Sequence, residues 1–318
     1  TRINAMKEAG FDKQCLSISL GTIQSYWLSA ETEIFLKRRW NDAVARIVKE
    51  HDCFIPIGQI PYKSPEAAIA ETERAVNELG FPAVNMEGNW AGRNIESEEW
   101  MPFFGLCQKL DIPIMSHPSA YFANDFFNQY NPAAKALEKM PCGGLLGFLL
   151  LTQISMAGLI FGGVLDRFPK LKIIWLEADV GWLPGYMEFL DGIYDAYCVY
   201  KNIPKGTPGL GFRGKRNIPN LKKKPSQYFK ENFYYSINFG TDFQLKELIP
   251  MLIYKLGMRD RFMIQTDYDH PEGNLDIVER IDRLKDIDEE AREGITGRNA
   301  AKLLKVKWAP SVYANLYK

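Results

Sequence analysis

The sequence predicts a parallel α/β fold on three observations. Seven short β-rich runs, several of them apolar throughout, alternate with amphipathic helical segments. That βα order suits a doubly wound sheet or a (β/α)8 barrel. At roughly 150 residues per domain, a chain of 318 residues is either one large α/β domain or two ordinary ones.

In chain order, Ile3, Met6 and Ala9 ahead of Gly10 predict a helix closed by glycine. A strand is expected over 14–19 and a helix over about 31–49. A strand over 54–60 leads through Ser64-Pro65, a cap and first-turn pair, into a helix over 66–79. Further strands are expected over 83–87, 113–117, 172–178, 233–239 and 262–268. Helices are expected near 97–110, 183–197, 243–256, 275–284 and 289–304. The barrel reading comes out one strand short, because the chain opens on a helix. No GxGxxG or GxxxxGK[ST] stands at a strand–helix junction, which weakens a nucleotide-binding reading.

Lys+Arg and Asp+Glu both number 39, so bulk charge argues against nucleic-acid binding. The five cysteines, Cys15, Cys53, Cys107, Cys142 and Cys198, form no CxxC pair, which points to a reducing, cytoplasmic setting. The opening residues lack a signal-peptide pattern. Residues 143–165 run 23 positions without a charge, long enough to span a bilayer. Thr152, Gln153, Ser155 and six glycines within the run favour a buried helix or a subunit interface, and no membrane partner is expected. Residues 201–224 carry eight Lys/Arg and no acid, which reads as a basic surface-loop insertion in a single domain over 1–318.

In parallel barrels the chemistry sits at the C-terminal strand ends. There the expected strands deliver His117, Glu177 (with Asp179 following), Asp267 (followed by Tyr268 and His270) and Glu87. One such residue would mean little, whereas a histidine with two or three carboxylates on separate strands forms a convergent set. Imidazole nitrogen and carboxylate oxygen together suit Zn²⁺, Mn²⁺ or Fe²⁺. Without a metal, His270 could shuttle protons beside Asp267, and Glu177 could pair with an arginine. Trp182, Tyr268 and Trp90 are candidate substrate-lining aromatics, with a core role as the alternative. His51 falls between a helix and a strand on the opposite barrel face and reads as structural, and Cys107 reads as a packing residue.

The segments Gly162–Glu177, Gly181-Trp-Leu-Pro184, Phe54-Ile-Pro-Ile-Gly58, Lys224–Phe229, Thr266-Asp-Tyr-Asp-His-Pro271 and Gly297-Arg-Asn-Ala-Ala301 resemble the amidohydrolase-2, aminocarboxymuconate semialdehyde decarboxylase-like family. The likeness runs in order over nearly the whole chain. It implies a (β/α)8 metal-dependent barrel and a decarboxylase or a C–C or C–N hydrolase acting on a small carboxylated substrate, with aromatic acids among the candidates. By the same resemblance His117 and Asp267 are expected metal ligands and Asp267 and His270 the proton-handling pair. Glu177 stands where many members have histidine and, from its strand-end position, is expected as a third ligand, while Trp182, Tyr268, Trp90 and Glu87 are the expected substrate contacts from their own placement. Thr266 replaces the family's serine, Asp269 its proline, and Asp179 stands where glycine is expected. The His-x-His of the family's first strand has no counterpart, in agreement with the short strand count. The carboxylate-rich Leu-Glu-Ala branch also resembles dinuclear iron or manganese oxygenases. A catalytically degenerate subunit beside a homologous chain is a third expectation, and a homo-dimer or higher oligomer is the expected assembly.

Overall fold

The seven strands lie parallel in one curled sheet, in strict chain order: β1 (Gln14–Leu16), β2 (Phe54–Gln59), β3 (Ala83–Glu87), β4 (Ile114–His117), β5 (Ile173–Trp175), β6 (Phe233–Ile237) and β7 (Phe262–Ile264). The computed structural model describes residues 2–17, 28–87, 95–118, 143–201, 220–238, 240–268, 270 and 273–307. A doubly wound sheet reverses its strand order at a switch point. The monotonic order seen here rules that alternative out and leaves barrel-type winding. Among the described residues β1 and β7 are the two sheet edges.

Alternation along the strands separates two apolar layers. Ile55 and Ile57 of β2, Ala83 of β3, Met115 of β4, Ile174 of β5 and Met263 of β7 pack on one another inside the curl, with Leu303 and Leu304 against them. The intervening residues, such as Val84, Ile114, Ile173, Trp175, Phe233, Tyr235 and Phe262, pack outward against the helices. Trp175 meets Phe233 edge-on at 5.6 Å, and Phe233 meets Phe229 at 5.4 Å. Burying each such side chain contributes roughly 1.5–3 kcal/mol.

Local chemistry sets the element ends. The first helix, Arg2–Glu8, stops where Gly10 takes φ 77°, a conformation that costs glycine no steric strain. Ser64 accepts a hydrogen bond from the Ala67 amide at 3.1 Å, with Pro65 as the first residue of helix Pro65–Asn77. The helix expected over 243–256 instead contains two wide-turn stretches, Gln244–Leu248 and Met251–Lys255, with i→i+5 pairing either side of Pro250. Proline has no amide hydrogen to donate, so the ordinary ladder cannot run through it. The charge-free segment forms helix Gly143–Phe161, and among the described residues no helix is long and apolar enough to cross a membrane. Of the basic insertion, residues 202–219 lie outside the described residues. In the rest, Lys224 pairs with Asp195 at 2.8 Å and the Lys222 amide with Asp166 at 3.0 Å.

Several of the sequence motifs turn out to be structural fasteners. Asp191 accepts from both the amide and the hydroxyl of Ser226, at 2.8 and 2.7 Å, and seats helix Pro225–Glu231. Asn299 donates to the carbonyls of Arg259 and Phe262, at 3.1 and 2.9 Å, and holds the entry to β7. Asn41 grips both backbone groups of Gln59, at 2.8 and 2.9 Å, which fixes the end of β2.

Candidate active site

The strands are shorter than the sequence suggests, and the difference falls at the site. β5 ends at Trp175 and β7 at Ile264, two or three residues before the carboxylates they were expected to carry. Glu177 and Asp267 sit beyond the strand ends with φ of 51° and 53°. Left-handed backbone costs a residue with a Cβ about 1 kcal/mol or more, and such strain gathers at functional sites. Asp179, in the position where glycine was expected, has φ 50°. Its short carboxylate accepts from the Val180 amide at 3.0 Å and from the Gln244 side chain, so an aspartate can hold a conformation suited to glycine.

The turns bring the polar groups together. His117, at the end of β4, directs Nε2 to Glu177 Oε1 at 2.9 Å and Nδ1 to the Pro118 carbonyl at 2.6 Å. His270 Nδ1 lies 3.3 Å from Asp267 Oδ2. Glu177, Asp267 and His270 each offer a ligand atom, all within 4.8 Å of one another, and His117 joins that group through Glu177. Gln265, two residues before Asp267, accepts from the Glu177 amide at 3.1 Å and from the Ser236 hydroxyl at 2.6 Å, so it ties β5, β6 and β7 together beneath the cluster.

Gly273 closes the loop after β7. A Cβ there would meet the carbonyls of His270, Thr266 and Asp267 at 2.9, 3.0 and 3.1 Å. Its amide donates to the His270 carbonyl at 3.0 Å, and the Asn274 amide donates to Thr266 at 2.8 Å.

Burial and the neighbouring charge of Glu177 push the Asp267 carboxyl up to about 6, so in mildly acidic solution it keeps a proton to share with Glu177. Burial also works against the Glu177 carboxylate, but the hydrogen bond and charge of His117 outweigh it, and the net direction is down. For His117 burial opposes the imidazolium, and Glu177 with the Pro118 carbonyl reverses the outcome, raising it. Two carboxyl groups this close, with imidazoles beside them, form a donor set that fits a divalent cation in place of the shared proton.

The other expected site residues are less central. Trp182 donates its indole N–H to the Ala178 carbonyl at 2.6 Å and stacks edge-on against Tyr186 at 5.5 Å, packed on the outer core. The Tyr268 ring lies beneath the Arg2 guanidinium at 5.0 Å, and its carbonyl accepts from Arg2. The backbone of Glu87 pairs in register with His117 at the end of β3. Trp90 lies outside the described residues. His51 ends helix Ala30–Glu50 and meets Phe54 edge-on at 6.1 Å, and Cys107 is fully buried. Sequence reading missed Gln265, Ser236 and Gly273. Period-two alternation from Asp267 back to Gln265 was the available signal for the first of these.

A curled parallel sheet with an imidazole–carboxylate cluster at its C-terminal edge defines a metal-dependent barrel-type enzyme. The chain belongs to the amidohydrolase family, whose pattern matches residues 2–306. It is 25% identical over 306 residues to a 2-amino-3-carboxymuconate-6-semialdehyde decarboxylase of Dictyostelium discoideum, covering 95% of this chain and 75% of that one. It is 26% identical over 318 residues to a gamma-resorcylate decarboxylase of a Rhizobium species, covering 97% and 88%. Among solved structures, a dihydroxybenzoic acid decarboxylase from a Polaromonas species, with bound manganese and the inhibitor 2-nitroresorcinol, superposes with a TM-score of 0.73 at 26% identity, over 98% of this chain and 87% of that one.

Proposed function

We propose that the protein is a divalent-metal-dependent decarboxylase of a small hydroxylated aromatic acid. The observation that carries this reading is the convergence of Glu177, Asp267 and His270 within 4.8 Å, with His117 bonded to Glu177, in a chain whose named relatives are decarboxylases. Glu177, Asp267 and His270, with His117 behind Glu177 or replacing one of them, would hold the metal. When bound, the metal would orient the acid and stabilise developing negative charge.

Asp267 supplies the proton. The bond between ring carbon and carboxylate breaks with its electron pair left on the ring, carbon dioxide leaves, and that carbon takes the proton from Asp267. With the metal in place Asp267 holds no resting proton, so it acts as a relay that takes a proton on its free oxygen and passes it to the ring carbon. His270, half exposed and beside Asp267 Oδ2, reloads it from solvent. Tyr268, next to Asp267 in the chain, and Glu87, whose backbone is in register with His117, are proposed substrate contacts, whereas the core packing of Trp182 favours a structural role. The named relatives lend no support to C–N cleavage, oxygen activation or an inactive subunit.

The fuller reading is one barrel domain, cytoplasmic and oligomeric, closed by an eighth strand between the β7 and β1 edges. Activity tests the function. Manganese-loaded protein should convert 2,6-dihydroxybenzoate, the acid named for a Rhizobium relative, or a close hydroxybenzoate. Asp267→Asn should lower kcat by about 10²–10⁴-fold. Turnover by the variant at the wild-type rate would remove Asp267 from the mechanism.

A further inference from the structure

One buried group beside the cluster has no use in the fold. Along β6, Tyr234 packs with the inner core and Ser236 bonds inward to Gln265, so the next inward position is Asn238. Asn238 follows the last residue of β6, between the strand ends that lead to Glu177 and Asp267. Its side chain is 1% exposed, yet neither Nδ2 nor Oδ1 has a hydrogen-bond partner. Its backbone is firmly placed: the Asn238 carbonyl accepts from Asn274 at 3.4 Å, and the preceding carbonyl accepts from the Gln265 amide at 3.0 Å.

The other inward amides differ. Gln59 and Asn85 both donate to the Ser17 hydroxyl, at 3.1 and 2.9 Å, so each leaves only an oxygen open. The oxygen of Gln265 is already shared by Ser236 and Glu177. Asn238 alone among these keeps both a donor and an acceptor open in a dry position. Folded proteins rarely leave buried polar groups unmatched, and an exception calls for a partner that arrives later.

We propose that Asn238 is a substrate-binding residue that reads the hydroxyl-bearing edge of the aromatic acid, an assignment that rests on the decarboxylase reading. Nδ2 donates to a hydroxyl or carboxylate oxygen, and Oδ1 accepts from the hydroxyl proton. A site built to hydrogen-bond a hydroxyl discriminates strongly against the analogue that lacks it. Asn238 would therefore set the preference for hydroxylated over plain benzoates.

The test is calorimetric binding of 2,6-dihydroxybenzoate and of benzoate to the manganese-loaded full chain, for wild type and for Asn238→Leu and Asn238→Ser, with the thermal midpoint of each protein measured without ligand. Wild type is expected to favour the dihydroxy acid. Asn238→Leu should narrow that preference at least tenfold while the unliganded midpoint holds or rises, because an apolar group of similar size removes an unmatched amide. Asn238→Ser, a smaller polar group, should give an intermediate preference. An unchanged preference in folded variants would overturn the assignment and leave the decarboxylase reading intact. Loss of folding, or a midpoint drop of about ten degrees or more in both variants, would make the amide structural and also overturn it. A wild-type protein that binds neither acid would overturn this assignment together with the decarboxylase reading.

Discussion

At the scale of single residues, Asp267 decides the behaviour of the site. Its carboxyl ordinarily titrates near 3.8 and here is held at about 6. A carboxyl raised on folding binds its proton more tightly in the folded state. It therefore weakens the fold once ionised, and the cost is absent below about pH 4 and complete above about pH 6. In chelator-treated protein, Asp267→Asn should raise the unfolding free energy by on the order of 2 kcal/mol at pH 8 and change it little at pH 4, as denaturant titrations at the two pH values will show. The same protonation predicts that manganese affinity, followed by the free-ion EPR signal, weakens as pH falls through 6, because the proton and the cation compete for one carboxylate. His117, Glu177, Asp267 and His270 were legible in the sequence because each ends or follows an apolar run. The strained backbone that turns Glu177 and Asp267 toward each other was not, since glutamate and aspartate carry no mark of left-handed φ. Asn238 and Gln265 were hidden for another reason: a single amide at the end of a strand looks like any loop residue until its missing or shared partners are seen.

At the scale of elements, loops rather than strands place the chemistry. The loop after β7 closes on Gly273, whose surroundings leave no room for a side chain. Gly273→Ala should push three carbonyls apart, displace Asp267 and His270, and lower kcat more than it lowers the thermal midpoint. Measuring both on one preparation separates a local effect from a global one. The loop after β2 is held from outside: Glu33 accepts from the Tyr62 and Lys63 amides at 2.8 and 3.0 Å, and Lys37 donates to the Ile60 carbonyl at 2.8 Å. Glu33 and Lys37 pair at 3.1 Å, both buried. Lys37→Met leaves the Glu33 charge uncompensated and should cost about 3 kcal/mol in urea unfolding, with little change in metal affinity. Helix positions followed the apolar period well. Strand ends did not, because the residues after Trp175 and Ile264 continue the same composition while the backbone has already turned.

At the scale of the whole molecule, the alternation of seven βα units was legible from hydrophobic pattern alone, but the choice between a doubly wound and a barrel-type sheet was not. Both share that pattern, and only the strict order of β1 to β7 separates them. The inner apolar layer of Ile55, Ile57, Ala83, Met115, Ile174 and Met263 makes a rigid floor under the cluster, so a cation bound above it should report on global stability. Manganese at a hundred times its dissociation constant should add about 2.7 kcal/mol and raise the thermal midpoint by several degrees, an increment that Glu177→Gln should largely remove. The most direct measurement is mass spectrometry of the product formed from 2,6-dihydroxybenzoate by manganese-loaded protein in D₂O. The account predicts a dihydroxybenzene that has lost carbon dioxide and carries one deuterium at the former carboxyl carbon, formed without oxygen uptake and far more slowly by Asp267→Asn. An oxygenated product, a product that retains the carboxylate, or equal rates in wild type and Asp267→Asn would contradict it.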